Sequence, residues 1–509
     1  DKKSFYYNNV SLISITGGIA DDVLPSDYTL LEPLLNSETP LHNGFTVYSS
    51  GIENVWTTID HLAVVWCDQL RKVVAKSILS IVDKSSSTKT IDLKNRMNFF
   101  RSIYLDNDEY ENHKINTNMT VEYDIDPNMA NFKSDLKFTG DTILKESFTK
   151  KGLYSIDLRT FDPNKNSNLD IKIDQTTLST VDLFLCDEKE KCTFLNYLFK
   201  KIPVDAAGED KIFENLELEN STLVKFKTLN VLVKEDDRNI NILVNRFITN
   251  RNFELSFLKL LFGQNLKVNP NISVQQFNLI SKLTSSLALK LSIKTTKNKV
   301  ILGSYIKQSL YQPYETKWYP LQILSSKHIS LTSASNPPFI PTRSSHQIAN
   351  TNLHLKLDNS DHVIKSMTLS IDFGLTFKLL IKTYRLAFAS IPVGLATIIF
   401  LYQLRKYVES GEYPSLSTVS YKLMNYVVVY GFWGCLLIET LAIVPGSRYI
   451  LENWMDCIKV NDNLFNSAYS HHQKNEFMGN KGVSLDVLFI DYIILLLSLS
   501  VVMIVSALI

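Results

Sequence analysis

The pattern of apolar and polar positions changes character twice along the chain. Residues 10–16, Val-Ser-Leu-Ile-Ser-Ile-Thr, alternate as a short strand that Gly17-Gly18 and an acidic turn bring to an end. Across residues 56–82 the apolar positions Val64, Val65, Leu70, Val73, Val74, Ile78 and Ile81 approximate a 3.6-residue stripe and predict an amphipathic helix. Strand, acidic turn, loop and helix, in that order, describe the end of an α/β unit, placed at residues 1–105.

Residues 106–375 carry a different period. Val121–Ile125, Tyr154–Leu158, Leu169–Ile173, Leu287–Ile293, His354–Leu357 and Met367–Ile371 alternate apolar and polar positions. Many short runs of period 2 predict an antiparallel β-sandwich with one wet face. No clear linker divides the region, so one sandwich is expected. The Ser- and Pro-rich stretch from Ser325 to Ser345 reads as an exposed loop.

Residues 376–509 then turn apolar. Runs at about 384–404, 424–444 and 483–509 approach or exceed the ~20 apolar residues that a transmembrane helix needs. The loop between the first two carries Arg405, Lys406 and Lys422, and the opposite side carries Lys378, Lys382 and Arg385, so loop charge alone does not orient the chain.

Composition narrows the classes. Hydrophobic residues make up 45% of the 509 residues, as in a chain part soluble and part membrane-embedded. A net charge of +1, with Lys and Arg spread among nearly as many Asp and Glu, gives no basic footprint for nucleic acid. Among the five cysteines, Cys186 and Cys192 flank a short polar loop between strand-like runs; the spacing suits a disulfide and not a CxxC metal or redox pair. An oxidising compartment favours that bridge. Sequons at Asn118, Asn220 and Asn271 point to the same compartment, and all precede the first predicted span, which places the region before it on the luminal side. A fourth sequon, Asn9, runs into the first strand. The chain starts at Asp1 and its last residues lie within an apolar run, so it reads as cut at both ends, and a missing motif carries little weight.

Two segments carry candidate chemistry. In Ser14-Ile-Thr-Gly-Gly-Ile-Ala-Asp21-Asp22-Val-Leu-Pro-Ser26, a strand ending in glycines delivers a carboxylate to the edge of the sheet, as the acid of a Ser-His-Asp triad requires. The same pattern also allows Asp22 or Ser26 to do no more than cap the next segment. About forty residues on, Val55-Trp-Thr-Thr-Ile-Asp60-His61-Leu-Ala-Val-Val-Trp66-Cys67 puts a histidine at the entrance of the amphipathic helix. That is where the last triad member falls in the order Ser, acid, His; alternatively, Asp60 caps the helix and His61 is a first-turn residue. No G-x-S-x-G nucleophile elbow occurs in the 509 residues, so a serine nucleophile is expected upstream. His471-His472 lacks a Cys or acidic set to complete a metal site, and no metal is expected. Glu439, Asp486 and Asp491 fall in the apolar runs, where carboxylates are costly; they are read as interhelical contacts or as the lining of a polar path.

These two segments, with Asp-His-X-X-X-X-Trp-Cys at 60–67, resemble the GPI inositol-deacylases, serine hydrolases of the endoplasmic reticulum. The likeness is tight over residues 10–82 and returns around 377–432, at Tyr384-Arg-Leu-Ala, Gln403-Leu and Tyr413-Pro-Ser. It implies the C-terminal part of an α/β-hydrolase domain, then a luminal sandwich, then a multi-pass membrane domain in the endoplasmic reticulum. It implies Asp21 as triad acid, the one following Gly-Gly at the family's spacing, and His61 as base. The expected reaction is hydrolysis of the fatty-acyl ester on the inositol of GPI anchors, with GPI-anchored proteins as substrates, membrane lipids as surroundings and no cofactor. Two other readings stand beside it: a membrane lipase or acyltransferase acting on another lipid ester, and a non-catalytic membrane protein that binds glycans or cargo.

Overall fold

The computed structural model describes residues 9–24, 29–31, 43–85, 89–105, 134–136, 143–148, 150–158, 167–174, 178–189, 191–206, 209–218, 220–235, 240–248, 251–255, 257–269, 272–280, 287–296, 303–310, 315–321, 328–332, 353–361, 363–383, 385–434, 437 and 485–508. The chain divides into two compact units. One comprises residues 1–283, 289–334 and 350–371; the other comprises 284–288, 335–349 and 372–509.

The first unit opens with strand β1 (Leu12–Thr16) pairing in parallel with β2 (Gly44–Tyr48), in register from Leu12↔Gly44 to Thr16↔Tyr48. All five residues of β2 are buried, as expected for a parallel strand covered on both faces. The predicted helix is shorter than the stripe implied. Residues 56–62 are loop, Ala63–Trp66 form a single helical turn, and helix α1 (Asp68–Ser80) follows a break at Cys67. The stripe is only partly buried: Leu70 is 3% exposed, whereas Val65, before the break, and Ile78, near the end of α1, face outward. A second helix, α2 (Leu93–Tyr104), begins at Asp92, whose carboxylate accepts the Asn95 N–H at 3.3 Å. It was not anticipated from the sequence. Met97, Phe100 and Tyr104 of α2 join Phe45, Val47, Ile52, Ile59 and Leu70 in one buried cluster. The Ser77 and Tyr104 hydroxyls meet at 2.6 Å and tie the two helices together.

Among the described residues, four sheets follow where one sandwich is expected. The first, in the order Ile143–Phe148, Ile240–Ile248, Ser167–Asp174, Glu209–Leu218, Lys200–Ala206, is wholly antiparallel. The second runs Ser134–Leu136, Gly152–Asp157, Thr228–Val233, Val181–Cys186, Cys192–Phe194. Leu169, Ile171 and Ile173 of the first sheet share a buried cluster with Leu183, Leu185, Leu229 and Val231 of the second. A third sheet (Arg251–Glu254, Val274–Ile280, Leu353–Asp358, Tyr305–Leu310, Glu315–Pro320) and a fourth (Gln264–Leu266, Ile364–Ile371, Leu289–Thr295, His328–Leu331) complete the region. The last strand of the fourth sheet lies inside the stretch read as a loop. Val121–Ile125 lies outside the described residues.

Period 2 explains why a second boundary was invisible. In strand Ser167–Asp174 the apolar residues face the shared cluster, and the intervening Asp170 and Lys172 face the third sheet. There Lys172 Nζ donates to Asp358 Oδ2 at 2.5 Å, and Lys356 Nζ donates to Asp170 Oδ1 at 2.6 Å and to Glu217 Oε2 at 2.7 Å. All four of Asp170, Lys172, Lys356 and Asp358 are buried. Residues that the pattern assigns to a wet face instead form a buried charged layer, and each charge is tolerated because an opposite one is hydrogen-bonded to it.

The second unit is helical where it is described: α3 (Phe373–Thr383), α4 (Arg385–Ser410), α5 (Leu416–Tyr426) and α6 (Leu485–Leu508). A π-helical turn, Val427–Gly431, continues α5. A Cβ on Gly431 would lie 2.7 Å from a ring carbon of Tyr492, so glycine lets α6 approach. The Tyr492 hydroxyl then donates to the Val428 carbonyl at 3.2 Å. Among the described residues, no helix is long and apolar enough to cross a membrane. The predicted spans therefore stand as a reading of the sequence. Glu439, His471 and His472 lie outside the described residues, as do the side chains of Asp486 and Asp491.

Candidate active site

The end of β1 and the loop after β2 are clamped together. The Ile59 N–H donates to the Gly17 carbonyl at 2.9 Å. A Cβ on Gly17 would lie 2.0 Å from the Ile59 carbonyl oxygen, so only glycine permits this approach. Gly18 serves a different end: its φ of +80° turns the chain out of the strand. The sequence reading gives both glycines the turning role; the structure assigns it to Gly18 and makes Gly17 the point of contact.

The loop itself is pinned from within. Ser49 Oγ donates to the Thr57 carbonyl at 2.8 Å, and Val55 and Trp56 donate to the Ile52 carbonyl at 3.0 and 3.1 Å. Asn54 and Trp56 adopt left-handed conformations, with φ of 65° and 44°. Asp60 closes the loop by accepting the Leu62 and Ala63 N–H groups, each at 2.9 Å. The cap that competed with the catalytic reading of this segment is therefore present, and it fixes the backbone on which His61 stands.

The clamp brings Asp21 and His61 together across forty residues. His61 Nδ1 lies 3.1 Å from Asp21 Oδ2. The other carboxylate oxygen, Oδ1, accepts the backbone N–H of Val23 at 3.1 Å and of Leu24 at 2.8 Å. The Asp21 side chain is 7% exposed and that of His61 is 42% exposed. Asp22 is exposed and Ser26 lies outside the described residues. A buried carboxylate held by two amides orients the imidazole. An ionised carboxylate only accepts, so Nδ1 carries the proton and Nε2 is left as the base. A carboxylate that precedes the histidine in the chain and holds its Nδ1 is the geometry that the acid and base of a Ser-His-Asp site require.

The remaining candidates lie elsewhere in the first unit. Cys186 and Cys192 form a disulfide that closes the turn between two strands of the second sheet. Asn220 starts a helical turn and is buried, with its backbone N–H donating to Asn168 Oδ1 at 3.2 Å. Asn118 and Asn271 lie outside the described residues.

The sequence comparisons fall on the same two ends of the chain. Residues 1–81 match the PGAP1-like alpha/beta domain, and residues 387–509 match the GPI inositol-deacylase transmembrane domain. The chain is 29% identical to the GPI inositol-deacylase of Eremothecium gossypii over 490 residues, covering 87% of this chain and 45% of that protein. It is 29% identical to that of Kluyveromyces lactis over 506 residues, covering 94% of this chain and 49% of that protein. Against the Chaetomium globosum GPI inositol-deacylase, identity rises to 47% over 97 residues, 19% of this chain and 8% of that protein. The chain thus resembles these deacylases along most of its length, and it spans about half the length of the curated relatives it matches.

Proposed function

We propose that this chain is part of a membrane-bound serine esterase that removes the fatty-acyl chain from the inositol of GPI anchors in the endoplasmic reticulum. The observation that carries the reading is the Asp21–His61 hydrogen bond at 3.1 Å, within the segment matched by the PGAP1-like alpha/beta domain. His61 Nε2 takes the proton from a serine hydroxyl as its oxygen attacks the acyl carbonyl. Asp21 holds the imidazole tautomer and stabilises the imidazolium. The inositol oxygen leaves with the proton that His61 returns, and an acyl-enzyme remains. Water then attacks with the same assistance and releases the fatty acid.

The site chemistry needs no metal or organic cofactor. The transmembrane-domain match and the three apolar runs support membrane anchoring at 384–404, 424–444 and 483–509, with residues 1–375 luminal. Anchoring fits the substrate, because lifting a long acyl chain into water costs ~0.8 kcal/mol per CH₂. The Cys186–Cys192 disulfide and glycosylation at Asn118 and Asn271 belong to that luminal placement, whereas Asn220, expected as a third acceptor, is buried in the fold and does not present its amide to a glycan.

The full-length protein, assayed in detergent–lipid micelles on acyl-inositol GPI, should lose ~10⁴-fold or more in kcat on His61→Ala and a comparable factor on Asp21→Ala. Unchanged turnover in folded His61→Ala protein rules out the mechanism. Equal turnover of ordinary glycerolipids by the parent shifts the reading to a general lipid esterase.

A further inference from the structure

We infer that α3 is an interfacial helix that lies along the bilayer surface and sinks one apolar stripe into the lipid. The inference rests on the membrane placement of the helices that follow it, and not on the esterase reading. Asp372 starts α3, its carboxylate accepting the Leu375 N–H at 3.0 Å. The helix then sorts its side chains into three arcs. Phe373, Phe377 and Ile381 are 64%, 50% and 39% exposed. At about 100° per residue, positions four apart drift by only ~40°, so these three form one continuous stripe. Leu375, Thr376 and Leu379 occupy the other side of the helix, Leu380 lies beside Phe373 at the edge of the stripe, and all four are half-buried. On that other side Thr376 Oγ1 accepts the Ala288 N–H at 3.0 Å. Lys378 and Lys382 fall between that side and the stripe.

Two aromatic rings and an isoleucine in one exposed stripe, with lysines along one side, are what a helix lying at a lipid–water boundary presents. Continuity of the chain identifies the lipid as occupant. Only Tyr384 separates α3 from α4, and the transmembrane-domain match begins at residue 387, inside α4. A helix ending within four residues of that segment is held at the membrane surface whatever its sequence. The stripe gives it an apolar side to turn toward the lipid.

The test uses the full-length protein reconstituted in phosphatidylcholine–phosphatidylserine vesicles. Phe377→p-benzoylphenylalanine and, separately, Phe373→p-benzoylphenylalanine are irradiated, and the adducts are identified by mass spectrometry. Ile398→p-benzoylphenylalanine, on an exposed position of α4, reports the membrane placement itself. Lipid adducts at 377 and 373, as well as at 398, are expected. Adducts at 398 with only protein adducts, or none, at 373 and 377 overturn the interfacial helix and leave the membrane placement standing. Absence of lipid adducts at all three positions overturns both.

Discussion

Gly17→Ala isolates the contact that places the histidine. The new methyl would lie 2.0 Å from the Ile59 carbonyl oxygen and 3.1 Å from its carbon. Both neighbours are backbone, so no side chain can swing aside. Contacts between nonbonded heavy atoms settle near 3.5 Å, so the loop must withdraw by on the order of 1 Å or more. His61 stands two residues beyond Ile59, and its Nδ1 begins 3.1 Å from Asp21 Oδ2. Withdrawal by that amount takes the pair to ~4 Å, outside hydrogen-bonding range. A misplacement of ~1 Å in a catalytic group costs on the order of 10²-fold in rate. The accompanying overpacking costs ~1–3 kcal/mol of stability, which leaves a folded protein. The full-length Gly17→Ala protein should therefore lose ~10²-fold in kcat on acyl-inositol GPI, with a modest fall in melting temperature. Gly18→Ala is the control. Its φ of +80° makes alanine cost ~1–2 kcal/mol, but its Cβ would meet side chains only, the Thr58 methyl at 3.3 Å and a Tyr48 ring carbon at 3.4 Å. It should lose stability while keeping most of its rate. If Gly17→Ala turns over within a few-fold of the parent while folded, the clamp is not what positions His61.

Three further outcomes follow from the β-rich region and are read by thermal or denaturant melts. Lys172→Met strands the Asp358 carboxylate in a buried site and should cost ~3–5 kcal/mol, most of it recovered when Asp358→Leu is added. Glu214 is held above the usual carboxylate range, chiefly by burial, with Lys201 opposing. A carboxyl raised in this way lends stability below its unfolded pKa and loses it as pH rises through the folded value. Glu214→Gln should therefore raise the melting temperature at neutral pH, with the gain fading as pH falls below the ordinary carboxylate range. Replacing Cys186 and Cys192 by alanine opens a loop of a few residues and should cost ~2 kcal/mol by the chain-entropy estimate.

The legible parts of the site were those that local chemistry fixes. Gly17-Gly18-Ile-Ala-Asp21 announced a turn that delivers a carboxylate, and Asp60-His61 announced a helix entrance; both are seen in the structure. The Gly17–Ile59 contact was not legible, because a close approach between residues forty-two apart leaves no trace in either neighbourhood. Helix α2 was missed although Asp92, Met97, Phe100 and Tyr104 offered a cap and an i, i+3, i+7 stripe; the apolar positions are too sparse to stand out without their partner α1. The four sheets were read as one sandwich for a physical reason. Alternation shows that a strand has two different faces, but not that the polar face is wet. Asp170 and Lys172 belong to a polar face that is buried, and only their partners Lys356 and Asp358, about 186 residues away, reveal it.

That buried polar face bears on the position of His61 through the loop that carries it. Residues 49–62 hold almost no regular structure, so their position depends on what they rest against. On one side the support is the end of β1, through Gly17. On the other it is the third sheet: Gly51 sits where a Cβ would lie 3.3 Å from the Thr316 backbone nitrogen, and Tyr48 and Leu310 are buried against each other. Lys200, from the first sheet, donates to the carbonyls of Ser102 and Leu105 at the end of α2, where a cation also meets the negative end of the helix dipole. The β-rich region is thus part of the frame of the site and not only a spacer before the helices. A charge pair such as Lys172–Asp358 joins the first sheet, which meets α2 through Lys200, to the third, which meets the loop at Gly51. Its loss should therefore reach His61 as loosened loop position, even though neither residue approaches the imidazole.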